Sequence, residues 1–374
     1  MAINITTEPT YPNVTYTDLL YAVSSSLISN DQYQYVMDVV QAGEVLVRIK
    51  QYPNPAGTGI FNPARILNDY IEYNQSWKTD NEFYPTTTVQ TFSIRFGEEY
   101  GTSPSSSVTL YNGVGVPGPP IVSGSDALVF PGTVDPNNGI SFNWQSQSMA
   151  LTDTPYEGQE LSYDDYHTMA FYNDGGYTNM SVEYSPGPTL SYSLTSGSNG
   201  FTTVPISTLN IGAGAAWDSV IVTAGSETWT FNKAEECNYD RIRFAFVNEY
   251  GFWDYYGFNL PQRKITTVNR QQINRPFVNY STLTAAYQAT RRGKDYYNIQ
   301  YNDSITVTTP FVDQTTAEWL AQMLESPSVF VQDGDNFLPI IITNGNYTHN
   351  TNKRSQKTFQ YDISFQYSNT RLGR

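Results

Sequence analysis

Between Phe359 and Tyr367 every second residue is apolar (Phe359, Tyr361, Ile363, Phe365, Tyr367) and every residue between them is polar. That period of two belongs to a strand with one buried and one wet face. The chain is thereby committed to an antiparallel sheet whose inner side something apolar must cover. A second run makes the same demand upstream: Phe244 and Phe246 alternate, Asn248 to Gly251 reads as a turn, and Trp253, Tyr255 and Tyr256 open a returning strand. Trp253 and Tyr255 stand two apart and should share a face. The chain spends 30 Tyr but only one Cys and two His. Tyr and Trp are rigid amphipathic contact groups in proteins that bind proteins or glycans, so this usage points to assembly or recognition.

Strand signals recur along the chain. Leu19 to Ser26 and Gln34 to Val40 are short apolar runs, and Val45, Val47 and Ile49 alternate before the stop Tyr52-Pro53-Asn54-Pro55. A helix should follow, capped by Asn62 with Pro63 in its first turn, its stripe formed by Ile66, Leu67, Tyr70 and Ile71 and its end near Tyr73 and Trp77. Thr86 to Phe96 reads as a strand, and Gly101 to Gly124 as a loop rich in Gly, Ser and Pro. From 126 to 232 short strands broken by Pro and Gly recur at sandwich spacing, among them Leu128 to Phe130, Thr168 to Tyr172, Met180 to Tyr184, Val220 to Thr223 and Glu227 to Phe231. Asp313 can cap a second helix through Glu325, with Trp319, Leu320, Met323 and Leu324 on one face and Pro327 beyond its end. Strands then follow at Val329 to Val331, Ile340 to Thr343 and Thr358 to Tyr367, the first two joined by a turn at Asp333 to Asn336.

These signals predict a mainly β fold: multiple antiparallel β-sandwich-like domains, two short helices and a C-terminal α+β unit. The expected divisions are 1–84, an N-terminal β domain with a packed helix; 85–235, a central β-sandwich region; 236–294, the aromatic hairpin and a basic extended segment; and 295–374, a helix on an antiparallel sheet. No run approaches the roughly 18 consecutive apolar residues that span a bilayer, and the opening Met-Ala-Ile-Asn-Ile-Thr lacks the regions of a signal peptide. The chain reads as soluble and made in a cytoplasm. Its single Cys, Cys237, excludes an intramolecular disulfide framework.

Charge is unevenly distributed. Residues 1–232 carry 5 basic and 22 acidic side chains, a balance of −17, while 233–374 carry 15 and 13. Between Tyr255 and Lys294 stand seven basic residues, Arg263, Lys264, Arg270, Arg275, Arg291, Arg292 and Lys294, and no acid. The segment is either a solvated face or a contact with an acidic surface such as a neighbouring copy, because complementary charge steers and registers assembly. Nucleic acid is a third partner, opposed by the acidic first two-thirds, which would repel phosphate.

Catalytic chemistry finds little to work with. His167 follows Asp164, Asp165 and Tyr166, but no nucleophile motif accompanies it, and His349 sits in a polar connection. The carboxylate pairs Glu98-Glu99, Asp164-Asp165 and Glu235-Glu236 could serve a glycosidase only on facing strands, a geometry that sequence does not show. Asp333-Gly334-Asp335 and Asp135 to Gly139 carry oxygen ligands at short spacing, yet neither matches a calcium loop and both suit hairpin turns. Phosphate loop, zinc spacing and dinucleotide fingerprint are all missing. No enzyme, cofactor or metal site is expected. Trp144, Trp217, Trp229 and Trp253 are candidate glycan-stacking anchors, weighed against filling sandwich cores.

Several stretches in order, Pro53-Asn-Pro-Ala-Gly-Thr-Gly-Ile-Phe61-Asn-Pro-Ala-Arg-Ile-Leu67, Ile94-Arg-Phe-Gly-Glu-Glu-Tyr100-Gly, Cys237-Asn-Tyr-Asp-Arg-Ile-Arg-Phe244 and Phe246 to Phe258, give the chain a family resemblance. It resembles structural tail proteins of tailed bacteriophages infecting Bacteroidota, including the crAss-like phages. The resemblance implies a virion component with β-sandwich domains that forms or decorates a ring, hub or adaptor of the tail, made in the host bacterial cytoplasm. Its expected partners are other copies of itself and other tail proteins, with a host-surface glycan as the alternative and no membrane. The expected interface residues are the seven basic side chains together with Trp253 and Tyr255.

Overall fold

The computed structural model describes residues 3–9, 13–15, 18–71, 90–100, 122–130, 149–163, 165–172, 179–193, 201–206, 216–234, 239–275, 278–279, 286–287, 293–344, 358–368 and 371–372. Its architecture is mainly β, with several mostly antiparallel sheets and two helices.

In the first sandwich, strands Ile3–Thr7, Tyr21–Ser25 and Thr58–Phe61 form one sheet, and Asn13–Val14, Val122–Phe130, Gln90–Glu99, Gln34–Gln41 and Glu44–Gln51 form the other. Tyr21, Val23 and Phe61 pack with Tyr35, Met37, Phe92 and Phe96 in one buried cluster. The ring centroids of Tyr21 and Phe96 lie 5.4 Å apart. Fully burying a large apolar side chain contributes on the order of 1.5–3 kcal/mol, so this cluster is what holds the two sheets together. Gly59 permits the approach, since a Cβ there would lie 2.7 Å from the Tyr35 ring.

Three expectations change here. Helix α1 spans only Ala64–Asp69, with Asn62 Oδ1 accepting the Ala64 and Leu19 N–H groups. Its Ala64 and Leu67 are buried, whereas Tyr70, expected on the stripe, is exposed. The continuation to Tyr73 and Trp77 falls outside the described residues. Gln90–Glu99 belongs to this first sandwich through pairing with Gln34–Gln41, and Val122–Phe130 through pairing with Gln90–Glu99. The division at 84/85 therefore cuts across a sheet, because the partner of an antiparallel strand need not be near it in sequence. The expected loop at 101–124 lies outside the described residues up to 121, and its last three residues open the strand Val122–Phe130.

The second sandwich sets Gln159–Leu161, Glu227–Lys233, Ser219–Ala224, Asn179–Ser185 and Thr189–Ser193 against Phe201–Pro205, Thr168–Tyr172 and Met149–Ala150. Trp217, Trp229, Phe171, Phe231 and Val222 fill it.

The largest sheet has eight strands, in spatial order Trp253–Phe258, Ile242–Val247, Val329–Asp333, Asn336–Ile342, Asp362–Tyr367, Lys294–Thr308 and Arg263–Asn274, with Arg371–Leu372 beside Lys294–Thr308. The stretches 236–294 and 295–374, read apart in the sequence, thus build one sheet. Helix α2, Gln314–Glu325, lies on it with Ala317, Trp319, Leu320 and Met323 buried, and Asp313 caps it by accepting the Thr316 N–H at 2.9 Å. Phe359, Tyr361, Ile363 and Phe365 share that core with Phe244 and Phe246, as their alternation demands.

Candidate functional site

The aromatic hairpin has two dry faces rather than one. Directly paired residues of an antiparallel ladder share a face, and Phe244 pairs with Tyr256 while Ala245 pairs with Tyr255. Phe244, Phe246, Tyr256 and Phe258 join the α2 core, and Ala245 and Tyr255 join a second cluster with Tyr166, against which Trp253, Phe330 and Phe337 pack. Tyr166 comes from the second sandwich, so the hairpin is the layer through which that sandwich docks on the large sheet. Its turn is tied by Asn248, whose side-chain oxygen accepts the N–H groups of Tyr250 and Phe252.

A buried polar clamp completes this junction. Asp165 accepts from Arg241 and, at 3.0 Å, from Arg243. Arg243 also reaches His167 Nδ1 at 2.9 Å and the Tyr166 carbonyl at 3.2 Å, and its guanidinium lies over the Tyr255 ring. Burial pulls the Arg243 pKa down to about 10 against the opposing pull of Asp165. His167, fully enclosed, is held well below the usual imidazole range by burial and then by Arg243. Its Nδ1 accepts from a guanidinium, so it is a neutral structural partner with no open face for a substrate.

Asp254 forms the other half of the junction, accepting from Thr152 at 2.6 Å and from the Trp319 indole at 2.8 Å. Burial raises its pKa to about 6, with those two hydrogen bonds opposing the shift. Gly257 makes room for Arg241, because a Cβ there would collide with the guanidinium.

The remaining chemical candidates are also engaged. Glu98 accepts from Ser25 and Tyr33, and Glu99 pairs with Lys50 at 2.8 Å. Asp333 and Asp335 flank a hairpin turn at Gly334, which has φ +57°. No group of three or more His, Cys, Asp or Glu side chains that could hold a metal is found among the described residues. Trp217 and Trp229 lie in the sandwich core and Trp253 is half-buried. Trp144, Cys237, His349, Asp164, Asp135 to Gly139 and the pair Glu235-Glu236 fall outside the described residues. No described helix is long and apolar enough to cross a membrane.

The candidate site is instead the basic segment. Arg263–Asn274 pairs with Lys294–Thr308 from Arg263↔Thr306 out to Asn274↔Lys294, and a further short pairing of Val278–Asn279 with Ala286–Tyr287 lies beyond. All 12 residues of the outer strand are exposed. At about 3.3 Å per residue that is a ribbon about 40 Å long. Asp362–Tyr367 flanks it only at its root, along Ser304–Thr308, and Arg371–Leu372 touches it at Gln300 and Tyr301.

The register skips Tyr297, which is the extra residue of a β-bulge and 65% exposed. Bulges re-aim side chains and recur at functional edges. Arg270 lies over the Tyr296 ring at 5.7 Å, Lys264 pairs with Asp303 and Arg275 pairs with Asp295. Arg263, Arg270 and Lys294 have no carboxylate within 4.0 Å among the described residues. At the root a groove of about 430 Å³ is lined by Lys264, Tyr301, Leu338, Ile341 and Tyr367.

The structure thus separates the expected interface residues. Arg263, Lys264, Arg270, Arg275 and Lys294 share the ribbon, Trp253 and Tyr255 belong to the internal junction, and Arg291 and Arg292 lie outside the described residues. The sequence reading missed the ribbon as a strand pair, and missed Tyr296 and Tyr297 with it. The available signal was the β-branched content of Ile265-Thr-Thr-Val268. No family model matches the chain, and no curated protein matches it.

Proposed function

We propose that this chain is a virion structural protein of a tailed bacteriophage, a repeated subunit that forms or decorates a ring or hub of the tail. The observation that carries the proposal is the ribbon, a long two-stranded arm whose outer strand is exposed along its whole length. Two strands alone are marginal in water, and exposed edges invite pairing, so a ribbon of this length suits a chain whose working state includes a neighbour. The resemblance to tail proteins supplies the setting, and the working mechanism is contact rather than chemistry.

The test is direct. Particles purified through a density gradient should contain the chain at a fixed multiple relative to the portal ring, measured by quantitative mass spectrometry. Finding it only in the lysate, with none in the particles, would remove the proposal. An array of host-surface glycans addresses the alternative of receptor recognition, for which strong binding by the purified chain would be required.

A further inference from the structure

We propose that the ribbon is a docking arm for a second copy of this chain, seated on the acidic surface of that copy's first 232 residues with Tyr297 as its anchor, in a head-to-tail rather than two-fold arrangement. This deepens the assembly reading above and rests on it. Three observations carry it.

Apolar and aromatic groups stand on the arm without cover. Ile265, Val268, Ile273, Tyr296 and Tyr297 are all exposed on a ribbon whose outer strand is exposed along its whole length. An aromatic presented at a bulge, beside Tyr296 with Arg270 over its ring, is the composition of an interface hot spot.

Charge then selects the occupant. The outer strand and its continuation carry Arg263, Lys264, Arg270 and Arg275 and no acid, whereas residues 1–232 hold 22 acids against 5 basic residues. Of those acids Asp31, Glu44, Asp69, Glu157, Glu183 and Asp218 are exposed, and two of the five basic residues, Arg48 and Lys50, are already engaged by Asp38 and Glu99. The surface that complements the arm is therefore present on every other copy of the same molecule.

The same charges decide the symmetry. If two arms paired edge to edge about a two-fold axis, each outer strand would meet only its own sign of charge, and like charges placed opposite on a ladder are destabilising. Arm onto body is a heterologous contact, which generates a closed ring when its rotation closes. A basic ribbon also has the shape that enters a nucleic-acid groove. The net charge of −15 and the two acids inside the ribbon, Asp295 and Asp303, oppose that occupant.

The experiment uses the full chain with p-benzoylphenylalanine in place of Tyr297, irradiated at low and high salt with and without random-sequence duplex DNA. Inter-chain products should form at chain concentrations of about 100 µM or below, a range that contacts of modest affinity populate. Their crosslinked peptides should map to residues 1–232. The yield should fall at least about tenfold between low and high salt, as screening of an exposed charged contact requires. Reversing Arg263, Arg270 and Lys294 to Glu should lower it equally while the melting temperature holds. Should that variant not fold, Tyr297→Ala in an otherwise native chain, with a probe at Val268, replaces it and should also reduce the yield. Crosslinks to residues 263–308 of another copy would overturn the head-to-tail arrangement. Products only within one chain, or only with DNA, would overturn the choice of partner. Either failure leaves the particle-composition result standing, so loss of this inference and loss of the structural-protein reading are separable.

Discussion

Asp165→Asn is the sharpest probe of how the second sandwich is fastened to the large sheet. The substitution keeps the shape and one acceptor but removes the only described carboxylate that Arg243 reaches, at 3.0 Å. Arg243 is 4% exposed, so its guanidinium would be left as an uncompensated buried charge, with Arg241 as a second cation beside it. Stranding one partner of a buried pair costs about 3–5 kcal/mol. Burial already draws the Arg243 pKa down to about 10, which sets desolvation as the dominant opposing force once the carboxylate is gone.

Removing both partners is a different perturbation. Asp165→Asn with Arg243→Met leaves an apolar stem where the buried cation stood, and should recover all but about 1–2 kcal/mol of the loss. Urea unfolding followed by tryptophan fluorescence separates the cases, because Trp217 and Trp229 report on the second sandwich. The single variant should unfold earlier, with the sandwich transition preceding that of the sheet. A single variant within about 1 kcal/mol of the parent, or a double variant no better than the single one, would refute the reasoning.

Other outcomes follow from the same junction. Asp254 has a folded-state pKa of about 6 against an ordinary value of 3.8. The folded chain therefore holds this proton more tightly, and its stabilising contribution is full below pH 4 and lost as pH rises through 6, a change of about 3 kcal/mol. Subtracting the unfolding profile of Asp254→Asn from that of the parent isolates this slope, and a flat difference would contradict it. His167, lowered in the fold, contributes the opposite slope below its ordinary 6.5, and it cancels in that subtraction. Trp253→Ala should cost about 2 kcal/mol by unfolding, short of the ~3–5 for a fully buried Trp, because the ring is half-buried edge-on against Phe330 at 5.5 Å. Gly257→Ala should displace Arg241 and lower the melting temperature, whereas an unchanged value would mean that the guanidinium swings clear at no cost.

Legibility in the sequence tracked burial. Phe359 to Phe365 and the Asp313-capped helix were readable because one side of each is dry, and that imprints a period of two or of about 3.6. The ribbon was hidden for the converse reason. Neither face of its outer strand is buried by the body, so Thr266 to Asn274 show no alternation and read as a polar extended arm. The double role of the hairpin was half visible: Phe244 and Phe246 announced one core, but Trp253 and Tyr255, read as contacts to a neighbour, gave no sign that a second unit of the same chain covers their side. The clamp depends on pairing residues about 76 positions apart, such as Arg241 with Asp165, and no local pattern encodes such a distance. What the sequence did carry about the site was its charge, since the acid-free run from Tyr255 to Lys294 marked the ribbon's outer strand before its structure was known.

The central claim, that the chain works as a repeated structural subunit joined through its arm, is tested most directly by a cryo-electron-microscopy reconstruction of the phage tail. The account predicts several copies around the tail axis, each with residues 263–303 lying across the acidic first sandwich or second sandwich of the next copy. A tail in which the chain is missing, or in which every copy is present with its ribbon in solvent, would contradict it.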